Sequence, residues 1–155
     1  MGALERLESE LGRLTVAPLY WTEPVSTIAQ PDFLNTVAVG ETSLAAEALL
    51  ELTQEVERLF GRIRSAPDAP RTLDLDLLLL GDEIRRDSAP LLPHPRMRSR
   101  RFVLAPLLDV APAWRLPPDG ATPGELLAAL PERPWVRRVT PDQAGPRSTG
   151  NASRT

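Results

Sequence analysis

Hydrophobic and polar positions alternate along this chain with two different periods. Leu4, Leu7, Leu11 and Leu14 recur at helical spacing, which predicts a helix over Ala3 to Leu14. Thr15 to Thr22 is rich in β-branched and aromatic residues and reads as extended. Glu23 to Asp32 holds two prolines and reads as a loop. In the following stretch, Phe33, Asn35, Val37 and Val39 alternate with Leu34, Thr36 and Ala38, which predicts a strand over Phe33 to Gly40. Thr42 or Ser43 can cap a helix running to Phe60, with Gly61 as its stop. A Pro-containing polar loop, Arg62 to Pro70, leads into an apolar strand from Thr72 to Leu80, and Gly81-Asp82 turns the chain toward a short strand near Ile84. Pro90 to Pro95 excludes regular helix. Further helices are expected over Ser99 to Val110 and, with Thr122 as cap and Pro123 at its first position, over Thr122 to Leu130. Trp135 to Val139 reads as a last strand. This order predicts a two-layer α+β sandwich over residues 1–140, followed by a disordered polar tail over 141–155.

Composition narrows the function classes. At 155 residues the chain suits one domain with its own core. The net charge of -3 argues against bulk electrostatic binding of nucleic acid, so a phosphate site must come from locally clustered cations. All 18 basic residues are arginine, so those contacts would be planar forks rather than point charges. With no cysteine, thiolate metal sites and disulfides are excluded, which fits the cytoplasm. No stretch reaches the length of a membrane span, and MGALERLESE carries no apolar targeting segment.

The candidate chemistry centres on RTLDLDLLLL, Arg71 to Leu80. In a strand, Asp74 and Asp76 share one face, while Leu73, Leu75, Leu77 and Leu79 take the other. Two readings are open. The aspartates form a solvated face, or they hold a hard cation such as Mg2+, which accepts one or two carboxylates and completes its shell with water and phosphate oxygens. Arg62, Arg64 and Arg71 precede the pair and serve equally as surface ion-pair partners or as a phosphate cradle. His94, the single histidine, stands between two prolines that restrict its backbone, with Arg96, Arg100 and Arg101 close behind. Phe33 and Phe102 are core residues or walls for a flat heterocycle, and Asn35 offers paired donor and acceptor groups.

Taken together, YWTEP with QPDFLNTV, ExxFGRxR, PRTLDLDLLL and LPHPRMxxRxFVLxPL resemble the 6-hydroxymethyl-7,8-dihydropterin pyrophosphokinases of folate biosynthesis, as does DVAP from Asp109 to Pro112. The resemblance spans roughly residues 3 to 139. It implies a ferredoxin-like α+β fold and transfer of the β,γ-diphosphate of ATP to a pterin alcohol, with AMP released. It implies two Mg2+ ions on Asp74 and Asp76, with Arg62, Arg71 and Arg100 neutralising the migrating diphosphate. Gln54, Glu57, Arg64 and His94 match nucleotide contacts; Thr22, Val25, Phe33, Asn35 and Phe102 match pterin contacts. The loop from Ser65 to Ala69 is a candidate lid without the tryptophan some members carry there. Expected partners are the two small substrates, with no nucleic acid or membrane, in a monomer or homodimer.

Family members usually begin with a strand ending in a Gly-Ser-Asn-Leu-Gly type turn, and this sequence lacks that turn in its first 20 residues. Its absence leaves three readings: a natural chain that is longer, a rearranged or dimeric fold, and a noncatalytic nucleotide or pterin binder. Another two-metal phosphoryl-transfer enzyme is a further alternative.

Overall fold

A computed structural model describes residues 2–23, 33–61 and 74–140. Helix α1 (Ala3–Leu11) ends one turn before Leu14, where Gly12 takes a positive φ of 86°. Strands β1 (Leu14–Val16) and β2 (Tyr20–Thr22) pair antiparallel with β4 (Ala38–Gly40) and β3 (Phe33–Asn35), respectively. The two expected long strands are therefore one hairpin, broken in its middle. Pro18 has no N–H to give to a ladder. At the break Ala17 N–H donates to the Val37 carbonyl, and the Thr36 hydroxyl donates toward the Ala17 and Pro18 carbonyls at 2.8 and 3.1 Å. β2 also pairs with β5 (Val136–Arg138), so it lies at the centre of a three-stranded sheet.

Helix α2 (Ala46–Gly61) starts later than its expected cap, because the Thr42 hydroxyl accepts from Leu44 N–H in the preceding loop. Helix α3 (Arg101–Val110) follows a short 3-10 turn at Met97–Ser99. Helix α4 (Pro123–Ala128) carries the capping box that Thr122 and Glu125 announce in the sequence, with both reciprocal bonds formed. The chain is thus mixed α and antiparallel β, in agreement with the α+β expectation.

The largest departure is residues 74–80, expected as a strand. They belong to no ladder. Among the described residues, the backbone N–H groups of Asp76 to Leu80 have no hydrogen-bond acceptor. The segment is held in other ways. Leu75 packs on a cluster of Leu7, Leu52 and Val56 between α1 and α2. Leu78 and Leu79 pack on a second cluster of Val37, Met97, Val103, Leu107 and Leu116. The Leu78 carbonyl accepts from His94 N–H at 2.8 Å, and the Leu80 carbonyl accepts from Glu83 N–H across the Gly81-Asp82 turn. Near Ile84 the expected strand reduces to a single bridge between Arg85 and Leu92.

Backbone amides without acceptors exchange readily. Hydrogen exchange of the Asp76 to Leu80 amides is expected to be much faster than that of Trp21 and Asn35 in the hairpin. Equal protection in the two regions would show that 74–80 is paired after all.

Candidate functional site

A cavity of about 980 Å3 opens beside residues 74–80. Its lining includes Leu4, Leu7 and Leu11 of α1, Ala38 to Gly40 of β4 and residues 74–80. β4 is paired to β1 on one side only, so two incompletely paired backbone edges line this space. The same lining includes Thr22 from β2, Asn35 from β3, Asp74 and Asp76, and Arg100 with Phe102 from the start of α3.

Each side chain is placed by its element. Thr22 is buried in the central strand, and Asn35 Nδ2 donates to its Oγ1 at 2.9 Å. That bond orients the Asn35 amide, whose carbonyl oxygen and second N–H remain the edge able to read a ligand. Glu23 follows Thr22 along the wall. Its carboxylate accepts from the Arg133 guanidinium and from Trp135 N–H, which pins the segment before β5 beside the site. On the same face of β2 as Thr22, buried Tyr20 donates to Asp109, and Arg138 reaches the other oxygen of Asp109 at 2.7 Å. Burial raises the Tyr20 pKa above its ordinary value, with the Asp109 bond reinforcing the shift. This tie holds β5 and α3 to the sheet. Sequence reading missed the roles of Glu23 and Tyr20; only the tertiary contacts reveal them.

Asp74 and Asp76 are exposed, while Leu75 between them turns into the apolar cluster, as the alternating pattern predicts. Among the described residues no three acidic or histidine side chains converge into a closed metal cage. Two hard carboxylates on an open wall, beside an arginine, fit Mg2+ completed by water and phosphate oxygens, and do not fit a fully protein-ligated ion. Arg100 stands over the Phe102 ring at 5.3 Å, so one ring face is taken by a guanidinium. Phe102 also packs on the core cluster, so it lines the cavity and joins the core from one position.

His94 reaches this region through its backbone bond to Leu78. Its Nδ1 accepts from Arg96 N–H at 3.1 Å, which assigns the proton of the neutral ring to Nε2 and leaves that atom as a donor. Burial lowers the His94 pKa from 6.5; the Asp76 charge opposes this, and Arg100 and Arg96 add to it.

A model of the 7,8-dihydro-6-hydroxymethylpterin-pyrophosphokinase (HPPK) family matches residues 1–112. The chain belongs to this family. It is similar to a 2-amino-4-hydroxy-6-hydroxymethyldihydropteridine pyrophosphokinase of Pseudomonas aeruginosa, 45% identical over 131 residues that cover 84% of this chain and 80% of the relative. A protein of the same description from Bacillus subtilis is 45% identical over 95 residues, covering 61% and 57% of the two chains. The folic acid synthesis protein fol1 of Schizosaccharomyces pombe is 40% identical over 99 residues, which are 64% of this chain and 14% of that protein.

The expected HPPK positions divide into three groups. Thr22, Asn35, Asp74, Asp76, Arg100 and Phe102 line one cavity, with His94 tied to it. Gln54 is not among them: it is exposed on α2 in a separate shallow depression with Glu51, Glu55 and Arg58. Glu57 directs its carboxylate to the main chain, accepting from Leu75 N–H at 2.6 Å. Val25, Arg62, Arg64, Arg71 and the 65–69 loop lie outside the described residues, as does the Phe33 side chain.

The lowered His94 pKa has a definite sign for stability. Between 6.5 and the folded-state value, the unfolded chain binds the proton and the folded chain does not. Stability from this group is therefore complete above pH 6.5 and falls as pH drops through that window. With one histidine in the chain, an NMR titration reads it directly. The midpoint is expected below 6.5, and Asp76→Asn, by removing the opposing charge, is expected to lower it further. A midpoint that rises in Asp76→Asn would show that the two groups do not interact as the structure places them.

Proposed function

We propose that the chain transfers diphosphate from Mg-ATP to 6-hydroxymethyl-7,8-dihydropterin in folate biosynthesis, releasing AMP in the cytoplasm. The observation that supports this is that one cavity is lined both by Thr22 and Asn35, read as the pterin pair, and by Asp74, Asp76 and Arg100, read as the phosphate set. The frame is read as ferredoxin-like, with the 74–80 segment on the far side of the cavity from the hairpin.

In the proposed reaction the pterin hydroxyl oxygen bonds to the β-phosphorus of ATP. The bond from that phosphorus to the α,β-bridging oxygen breaks, AMP leaves with the electron pair, and the hydroxyl proton passes to solvent. Such a transfer needs alignment and charge stabilisation rather than a covalent protein intermediate. Asn35 and Thr22 orient the heterocycle edge, and the free face of Phe102 supports its plane. Arg100, joined by Arg62 and Arg71, neutralises the migrating diphosphate. Resemblance gives Gln54, Glu57 and Arg64 to the nucleotide side, but Gln54 is exposed in the separate depression and Glu57 is bonded to Leu75 N–H, so of the three this reading keeps Arg64 there. His94 gives its Nε2–H to a phosphate oxygen and needs no positive charge to do so. Magnesium, two ions by resemblance, supplies further charge neutralisation when held by Asp74 and Asp76.

A second reading is a noncatalytic nucleotide or pterin binder. The incompletely paired 74–80 segment favours it, because a loosely held carboxylate pair positions phosphate poorly.

Pterin-dependent AMP release from ATP and Mg2+ separates the two readings. Asp76→Ala is expected to lower turnover by about 100-fold or more, since even indirect partners of a metal are worth about 10–100-fold. Turnover that survives the substitution would remove Asp76 from the mechanism. Phe102→Ala is expected to raise the pterin KM about tenfold, equivalent to about 1.4 kcal/mol of ring contact, with little change for ATP. Equal effects on both substrates would assign Phe102 to core packing alone.

A further inference from the structure

We infer that Glu57 is a positioning residue for the Asp74 and Asp76 pair, acting through the main chain between them. This deepens the metal-dependent reading above and rests on it.

Leu75 is the residue that separates the two aspartates, and it is fixed twice. Its side chain packs on the cluster of Leu7, Leu52 and Val56. Its N–H donates to Glu57 Oε2 at 2.6 Å. Val56, adjacent to Glu57 on α2, is fully buried in that same cluster. One turn of α2 therefore grips Leu75 by an apolar contact and by a hydrogen bond to a carboxylate, a charge-assisted type that is stronger than a neutral one.

The grip matters because no sheet ladder orients this segment. A strand within a sheet has its residues oriented by the ladders on its sides. Residues 74–80 have none, and the N–H groups after Leu75 find no acceptor among the described residues. The amide that Glu57 holds joins Asp74 to Leu75, and Asp76 follows Leu75 directly. A rotation of that peptide would swing the Asp74 and Asp76 side chains apart. Glu57 thus sets the relative direction of both carboxylates without touching a bound ion itself.

The resemblance assigns Glu57 to the nucleotide, whereas this geometry predicts that its loss is felt first at the metal. Three variants of the full chain test this: Glu57→Ala removes the acceptor, Glu57→Asp keeps the charge but shortens the reach, and Glu57→Gln keeps a carbonyl acceptor at the original reach. Mn2+ serves as probe, its binding read by electron paramagnetic resonance with and without a nonhydrolysable ATP analogue. Nucleotide binding is read separately in EDTA, and folding by thermal unfolding.

Glu57→Ala and Glu57→Asp are expected to weaken Mn2+ binding about 10–100-fold, the range typical for residues that orient metal ligands. Glu57→Gln is expected to restore most of that loss, and nucleotide binding in EDTA is expected to change less than about twofold on the same argument. In the AMP-release assay, kcat should fall in Glu57→Asp while the ATP KM holds. If Glu57→Ala does not fold, the comparison of Glu57→Asp with Glu57→Gln decides the matter. Unchanged Mn2+ affinity in Glu57→Asp, or a loss of nucleotide affinity in EDTA as large as the loss for Mn2+, overturns the positioning role. A wild-type chain that takes up no Mn2+ in either condition overturns the metal reading and the role together. One that binds Mn2+ with the predicted Glu57 dependence but releases no AMP overturns only the catalytic reading.

Discussion

The main-chain polar groups of residues 74–80 set the terms for the rest of the molecule. The side chains of this segment join both apolar clusters, Leu75 in one and Leu78 with Leu79 in the other. Its backbone therefore runs where hydrogen bonds ought to be made, because an unpaired N–H away from water costs about 1–3 kcal/mol. Three ties substitute for a ladder: Glu57 on the Leu75 amide, His94 on the Leu78 carbonyl, and the turn that closes on Leu80. The carboxylate pair and the histidine are consequently parts of one mechanical unit.

The two walls of the cavity differ in how firmly they are built. Thr22 sits in the strand paired on both sides, and its neighbours are clamped by Glu23 with Arg133 and Trp135, and by Asp109 with Tyr20 and Arg138. The wall at Thr22 is thus held by ladders and ion pairs together. The exposed members of these pairs, Arg133 and Arg138, add little stability by themselves. Their effect is geometric, since they fix β5 and its approach against the sheet. The 74–80 side joins no ladder and is held by the packing of Leu75, Leu78 and Leu79 together with the ties named above. Arg100 gains some order from stacking on Phe102, which in turn is seated on the core.

What the sequence made legible follows from how local each signal is. The helices of Leu4, Leu7 and Leu11, of Leu49, Leu52 and Val56, and the Thr122 cap depend on neighbours three or four residues away, and all appear near their expected places. Strands depend on distant partners. Alternation correctly put Asp74 and Asp76 outward and Leu75 inward, but it carried no information on whether a partner stood alongside. In the sequence Thr15 to Thr22 reads as one extended stretch, which misses the break at Pro18, whose repair by the Thr36 hydroxyl is a tertiary event. The same distinction runs through the site. Asn35, Asp76, Arg100 and Phe102, expected from motif and residue type together, line one cavity, whereas Gln54 faces another surface and Glu57 is committed to a backbone amide 18 residues away.

This asymmetry gives ligand binding a structural consequence. A cation and phosphate groups that bridge Asp74, Asp76 and Arg100 would connect segments that the fold leaves joined by few bonds. Any ligand that favours one arrangement of these groups shifts the population toward it, by no more than its difference in affinity for the two arrangements. In the proposed reaction, part of the phosphate binding free energy would be spent on ordering 74–80, while a heterocycle at Thr22 and Asn35 would meet a wall that is already set. The stabilisation expected from ligand grows only as the logarithm of its concentration over Kd. It should therefore be concentrated in the segment with the fewest bonds of its own, since the hairpin has little left to gain.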